Sequence, residues 1–311
     1  RAKKESFMKD LTKYQGIFPA FYACYDDEGN VSPRRAALMT AYLRDKGVQG
    51  LYVGGSSGEC IYLDKEERKA TLEAVMEAAD GMQIIAHVAC NNTRDSMELA
   101  AHAQKLGVAA IAAIPPIYFH LPDHAVAQYW NDISSAAPDT DFIIYNIPQL
   151  AGVALNEKLL SVMLENPRVK GVKNSSMPTQ DIQRWLALGG KDFTVFNGPD
   201  EQLVSGLVMG AQAGIGGTYA AMPELYLKLF RCVQKGDMEK AREIQFACNE
   251  IISALCATPA NMYAVIKATL RMREGLSLGG VRAPLCNVTE KEMAHVEKCC
   301  YMINAAITRY V

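Results

Sequence analysis

The chain has 311 residues, half of them apolar, and its 32 basic and 34 acidic side chains leave a formal charge of −2. That length buries a sizeable core, in one large α/β domain or two smaller ones. The near-neutral balance provides no basic stripe for phosphates, which argues against a nucleic-acid partner, and no apolar run is long enough to span a membrane, so a soluble protein is expected.

The nine cysteines are odd in number and scattered, and Cys299 and Cys300 are adjacent rather than in a metal spacing. This fits a reduced, cytoplasmic chain better than a disulfide scaffold. The five histidines include no H-E-x-x-H or other paired spacing, so no metal site is expected. Residues 1–7 lack the apolar run of a signal peptide and read as a partly added or truncated lead-in.

An apolar run over 16–25 reads as a first buried strand, and Ser32-Pro33 then supplies an N-cap and a proline at the first helical position. That helix ends near Gly47. A strand over 50–55 runs into Ser56-Ser57-Gly58-Glu59, and Asp64 with Glu67 forms a capping box for the next helix. The alternation continues with strands over 84–90, 109–114, 142–147, 169–174, 193–197 and 213–218. The helices between and after them are expected over 93–106, 122–136, 156–164, 178–188, 201–209 and 223–234.

Eight strand–helix units with strands this apolar predict a (β/α)₈ TIM barrel. A doubly wound sheet also alternates this way, but no G-x-G-x-x-G opens the first helix. Residues 1–15 form the lead-in and 16–236 the barrel. Residues 237–311, with helices over 241–255, 261–274 and 290–309, form a helical extension packed on the barrel.

A barrel carries its active site on the loops after its strands. Lys173 falls near the end of an apolar strand, where an amine is costly to keep charged and its neutral form is a nucleophile toward ketones. A strand-end lysine reaching solvent is the plainer reading of that segment alone. Gly54-Gly55-Ser56-Ser57 suits a carboxylate or phosphate, or is only a tight turn. Tyr145 suits acid–base work, or is a core tyrosine. Tyr118-Phe119 is an exposed aromatic pair that suggests a protein contact. Asp200 and Glu201 suit substrate hydroxyls, or favour the helix they precede.

Together, Gly-Gly-Ser-Ser-Gly-Glu at 54–59, Tyr-Asn-Ile-Pro at 145–148, Gly-Val-Lys-Asn-Ser-Ser at 171–176 and Gly-Ile-Gly-Gly-Thr-Tyr at 214–219 resemble the N-acetylneuraminate lyase and dihydrodipicolinate synthase family. These are class I aldolases built on a (β/α)₈ barrel with a helical C-terminal extension. The resemblance runs from about Gly16 through Leu285. It implies that Lys173 forms the Schiff base and Tyr145 shuttles a proton. It implies that Ser56 and Ser57 hold the carboxylate of pyruvate, with Ser56 hydrogen-bonded toward Tyr145. It implies that Tyr118 enters a neighbouring subunit's site, commonly in a homotetramer, and that Ile215 turns its carbonyl to the site. No cofactor is implied, because the iminium is the electron sink.

Synthases of the family carry an arginine two residues after the Tyr-Asn-x-Pro proline, where this chain has Leu150. The resemblance is therefore to the lyases. It implies that Gly198, Asp200 and Glu201 hold the hydroxylated tail of the sugar acid, and that Ser175 stands where lyases carry threonine. Gly217 departs from the Ser-Thr-Tyr of some lyases and removes a hydroxyl from that tail site. The expected reaction is retro-aldol cleavage of N-acetylneuraminate to N-acetylmannosamine and pyruvate. The alternatives are a 4-hydroxy-tetrahydrodipicolinate synthase, a 2-keto-3-deoxy sugar acid aldolase, or a non-catalytic binder of 2-oxo acids.

Overall fold

The computed structural model describes residues 11–311; the 1–7 lead-in lies outside the described residues. Eight strands run parallel: β1 (Gly16–Pro19), β2 (Gly50–Val53), β3 (Gln83–His87), β4 (Ala110–Ala113), β5 (Asp141–Asn146), β6 (Val169–Asn174), β7 (Thr194–Asn197) and β8 (Ala213–Gly216). Their order is β1-β8-β7-β6-β5-β4-β3-β2. A parallel bridge between Ala20 and Tyr52 joins the ends of that row, with the Phe21 N–H donating to Tyr52 O at 2.8 Å. The sheet is a (β/α)₈ barrel.

The strands are buried on both faces, and their two-residue period sorts side chains into two cores. Phe18, Tyr52, Ile85, Ile143, Phe196 and Ile215 fill the barrel. Ile17, Leu51, Ile84, Phe142, Val172 and Val195 face the surrounding helices. A 3₁₀ turn, Leu11–Tyr14, closes the N-terminal end: the Tyr14 hydroxyl donates to Asp141 Oδ2 at 2.9 Å, and Lys13 Nζ reaches the same oxygen at 2.9 Å.

The helices are α1 (Pro33–Lys46), α2 (Lys65–Ala78), α3 (Thr93–Leu106), α4 (Asp123–Ser135), α5 (Pro148–Ala151), α6 (Glu157–Met163), α7 (Gln180–Gly189), α8 (Leu203–Val208), α9 (Pro223–Gln234), α10 (Met238–Leu255), α11 (Met262–Glu274) and α12 (Met293–Tyr310). Their ends follow local chemistry. Ser32 caps α1, Asp64 and Glu67 form the capping box of α2, and Gly47 and Gly107 end α1 and α3 at φ 81° and 80°.

Two elements depart from expectation. β1 stops at Pro19, although the apolar run continues to Tyr25. The continuation is buried; Ala20 and Phe21 still donate to Gly216 O of β8 and Tyr52 O of β2, but further on the amides bond to loops: Ala23 N–H to Ser57 O at 3.3 Å and Tyr25 N–H to Leu278 O at 2.9 Å. The apolar run records burial, not strand. The one-turn α5 was not anticipated; Pro148 starts it and Gly152 ends it at φ 73°.

α11 is fastened to the serine loop by a buried ion pair. Lys267 Nζ lies 3.2 Å from Glu59 Oε1 and donates to Gly280 O at 2.6 Å. Glu59 Oε2 accepts from the Tyr25 hydroxyl at 2.9 Å and the Arg282 amide at 2.8 Å. Burial pulls the Lys267 ammonium down from its ordinary value and Glu59 opposes that shift. Both charges are fully paired, as a buried pair requires.

Candidate active site

The site stands on the C-terminal ends of β5, β6 and β7. β5 first pairs Phe142 with Val169, which in an unbroken ladder would set Tyr145 opposite Val172. The register shifts after Phe142, so Ile143 pairs with Gly171, Lys170 is skipped, and Tyr145 lies opposite Lys173. A one-residue slip changes which side chains share a face. Here it brings the phenol beside the amine.

Lys173 is only 5% exposed. Its Nζ sits 3.9 Å from the Tyr145 ring centroid and 4.2 Å from that of Tyr52. Among the described residues no carboxylate pairs with it, and neither its amine nor the Tyr145 hydroxyl makes a hydrogen bond. The contrast with Lys267 is chemical. One buried lysine is neutralised by a carboxylate, whereas the other is held between two aromatic rings with its amine unengaged.

The end of β6 is braced by Asn174, whose Oδ1 accepts from Asn146 Nδ2 and from Trp185 Nε1, both at 2.9 Å. Its amide donates to Ser176 Oγ at 2.9 Å, and that hydroxyl donates to Asp181 Oδ2 at 2.7 Å. Ser176 is thus structural. Ser175 is buried against Gly198, where a Cβ would fall 2.0 Å from Ser175 Oγ, so only glycine lets the β6 and β7 loops approach this closely.

After β2, Gly54 takes φ 80° and the loop turns over the barrel mouth. Ser57 is buried and donates to Phe21 O at 3.3 Å. Ser56 is exposed, and its hydroxyl makes no bond to Tyr145 or to any other group among the described residues. The backbone N–H groups of Ser56 and Ser57 likewise donate to nothing among the described residues. Two adjacent free amides form a concavity suited to a carboxylate.

His87, which the sequence marks only as a histidine without a metal spacing, belongs to the site. It ends β3 on the same inward parity as Ile85, and that alternation was the available signal. Its Nδ1 lies 2.8 Å from Gly54 O, and its Nε2 accepts the Ile114 amide at 3.3 Å. Partners of fixed polarity on both sides select the neutral ring with the proton on Nδ1. The ring stands edge-on to Tyr145 at 5.9 Å. Burial, then the positive charge of Arg68, depress its pKa to about 3, and Lys173 adds to that against the Gly54 carbonyl.

The folded ring resists a proton that the unfolded ring takes below about pH 6.5, so its stabilisation is lost as pH falls through that range. Between pH 7 and pH 5 the wild type should lose about 2 kcal/mol more than a His87→Gln variant, measured by urea unfolding. Equal slopes for the two proteins would contradict this. Asp200 titrates in the same window but is common to both.

Asp200 is buried, and burial pushes its carboxyl up to about 6 against the Thr218 hydroxyl and amide. Its Oδ1 accepts from the Gly217 amide at 3.2 Å and its Oδ2 from the Thr218 amide at 2.6 Å. It therefore shapes the loop after β8, with acceptor capacity left on Oδ1. Glu201 is exposed beside it, and Ile215 is fully buried in the barrel. Tyr118 is 86% exposed at φ 83°, edge-on to Phe119. It stands apart from the Lys173 cluster of its own chain.

A (β/α)₈ barrel with an unpaired lysine beside a tyrosine at its C-terminal mouth is the framework of a lysine-dependent aldolase. The Dihydrodipicolinate synthetase family model matches residues 13–302, and the chain belongs to that family. An N-acetylneuraminate lyase of Mediterraneibacter gnavus is 59% identical over 99% of this chain and 98% of its own. One from Escherichia coli K12 is 30% identical over 92% of this chain and 96% of its own. The wild-type Ruminococcus gnavus sialic acid aldolase structure is 60% identical and matches at a TM-score of 0.95, covering 96% of this chain and all of that one. Among the described residues, no helix is long and apolar enough to cross a membrane.

Proposed function

We propose that this chain cleaves N-acetylneuraminate to N-acetylmannosamine and pyruvate through a Schiff base on Lys173. The observation that carries the reading is the buried Lys173 amine, without a carboxylate partner, 3.9 Å from the Tyr145 ring centroid. The 59% identity to an N-acetylneuraminate lyase supports the choice of substrate. Leu150, 63% exposed on α5, leaves that position without a cation for the aldehyde acid of a synthase.

The Lys173 amine attacks the C2 ketone of the open-chain acid, and water leaves to give the iminium. Ser56, through its amide and hydroxyl, and Ser57, through its amide, hold the C1 carboxylate. Tyr145 takes the C4 hydroxyl proton, the C3–C4 bond breaks, and its electron pair moves to the iminium to give an enamine. N-acetylmannosamine leaves as the aldehyde. Protonation of the enamine at C3 and attack by water then release pyruvate and the free amine. Ser175, Gly198, Glu201, the open Oδ1 of Asp200, Gly217 and the Ile215 carbonyl line the path of the substrate's remaining atoms. Tyr118, held at a φ unfavourable for a non-glycine residue, completes a neighbouring subunit's site in a homotetramer.

The test is pyruvate release. N-acetylneuraminate should yield one pyruvate per N-acetylmannosamine, whereas pyruvate with aspartate semialdehyde should give no condensation product. The reverse result overturns the assignment.

A further inference from the structure

Gly217, on the loop after β8, and Tyr263, in the first turn of α11, are 46 residues apart in the chain and adjacent in space. A Cβ added at Gly217 would lie 2.9 Å from Tyr263 Oη, 3.5 Å from its Cε1 and 3.7 Å from its Cζ. The phenol oxygen thus fills the space into which a side chain at 217 would project. Both partners are fixed. The Tyr22 hydroxyl donates to Gly217 O at 2.6 Å, the Tyr22 and Tyr263 rings pack at 5.6 Å with their planes tilted by 48°, and Asn261 caps α11 by accepting the Tyr263 amide at 3.0 Å.

Tyr263 is only partly buried, and its hydroxyl makes no hydrogen bond among the described residues. Burial first, then the Asp200 carboxylate, push the phenol above its ordinary value, so it stays protonated and keeps a donor and acceptors free. Such a group suits neutral hydroxyls rather than a carboxylate. It also stands beside the Asp200 loop, because Gly217, whose Cβ would meet the phenol, donates its amide to Asp200 Oδ1 at 3.2 Å.

We propose that Tyr263 is a specificity-determining residue, its hydroxyl bonding the polyol tail of the substrate from the place that a side chain at 217 would otherwise occupy. The helical extension thereby contributes directly to substrate choice. This inference rests on the lyase reading and adds to it a contact from outside the barrel.

The test compares kcat/KM for N-acetylneuraminate and for an analogue whose tail is shortened by two carbons. The wild type should prefer the full tail, and Tyr263→Phe should reduce that preference by about tenfold, the worth of one or two uncharged hydrogen bonds. Adding Gly217→Ser to Tyr263→Phe should restore it, because the serine enters the space the oxygen has left. Gly217→Ser alone should not raise the preference, because its Cβ meets the phenol. The inference is overturned if Tyr263→Phe keeps the wild-type preference, or if it lowers kcat/KM for both substrates equally, as a purely structural role would. A wild type that turns over neither substrate overturns the lyase reading, and this inference with it.

Discussion

Lys173→Met protein should fold and lose retro-aldol turnover by about 10⁴-fold or more, the scale on which removing a covalent nucleophile is felt. Methionine keeps the length and apolar stem of the side chain, so the contacts with Tyr52 and Tyr145 survive. What disappears is a buried amine with no carboxylate partner among the described residues. Such a group lowers stability, so the variant should melt at or above the wild-type temperature. The opposite is expected of a structural lysine. Lys267, paired with Glu59 at 3.2 Å, is that case, since removing it would leave a buried carboxylate uncompensated. Comparing melting temperature with turnover therefore separates the two kinds of buried lysine. A Lys173→Met protein that melts well below the wild type would place Lys173 in the second class.

Tyr145→Phe should lower turnover by about 10²- to 10⁴-fold, the usual contribution of a positioned acid–base group. The ring that packs against Lys173 remains, and so do the free amides of the serine loop. Capture of pyruvate, which needs only the amine and the carboxylate site, should therefore weaken far less than turnover. The split is the diagnostic. Equal losses in capture and turnover would mean that Tyr145 merely shapes the barrel interior.

Much of the barrel was legible because each strand is a short apolar run ended by glycine, proline or a polar turn. Caps such as Ser32 and the Asp64–Glu67 box marked helix starts through chemistry that acts over only a few residues. The four motif loops could be read as one ring because a parallel barrel puts all strand C-termini at one mouth. What escaped depends on placement in three dimensions. The register slip after Phe142, which sets Tyr145 opposite Lys173, has no local signature. The Lys267–Glu59 pair spans 208 residues, and Tyr263 reaches Gly217 from a helix beyond the barrel. The β1 run misled because residues buried by loops carry the same apolar signal as residues in a ladder. Ser56 was expected to bond toward Tyr145. Its exposed hydroxyl and the free amides beside it assign carboxylate binding as much to backbone as to side chain.

The proposed reaction requires a covalent bond between pyruvate and one particular lysine. Incubating the protein with pyruvate and borohydride, then locating the added mass by peptide mass spectrometry, tests it most directly. One reduced pyruvate adduct is expected, on Lys173, and none in Lys173→Met protein. No adduct, or one carried by another lysine such as Lys170 or Lys267, would contradict it.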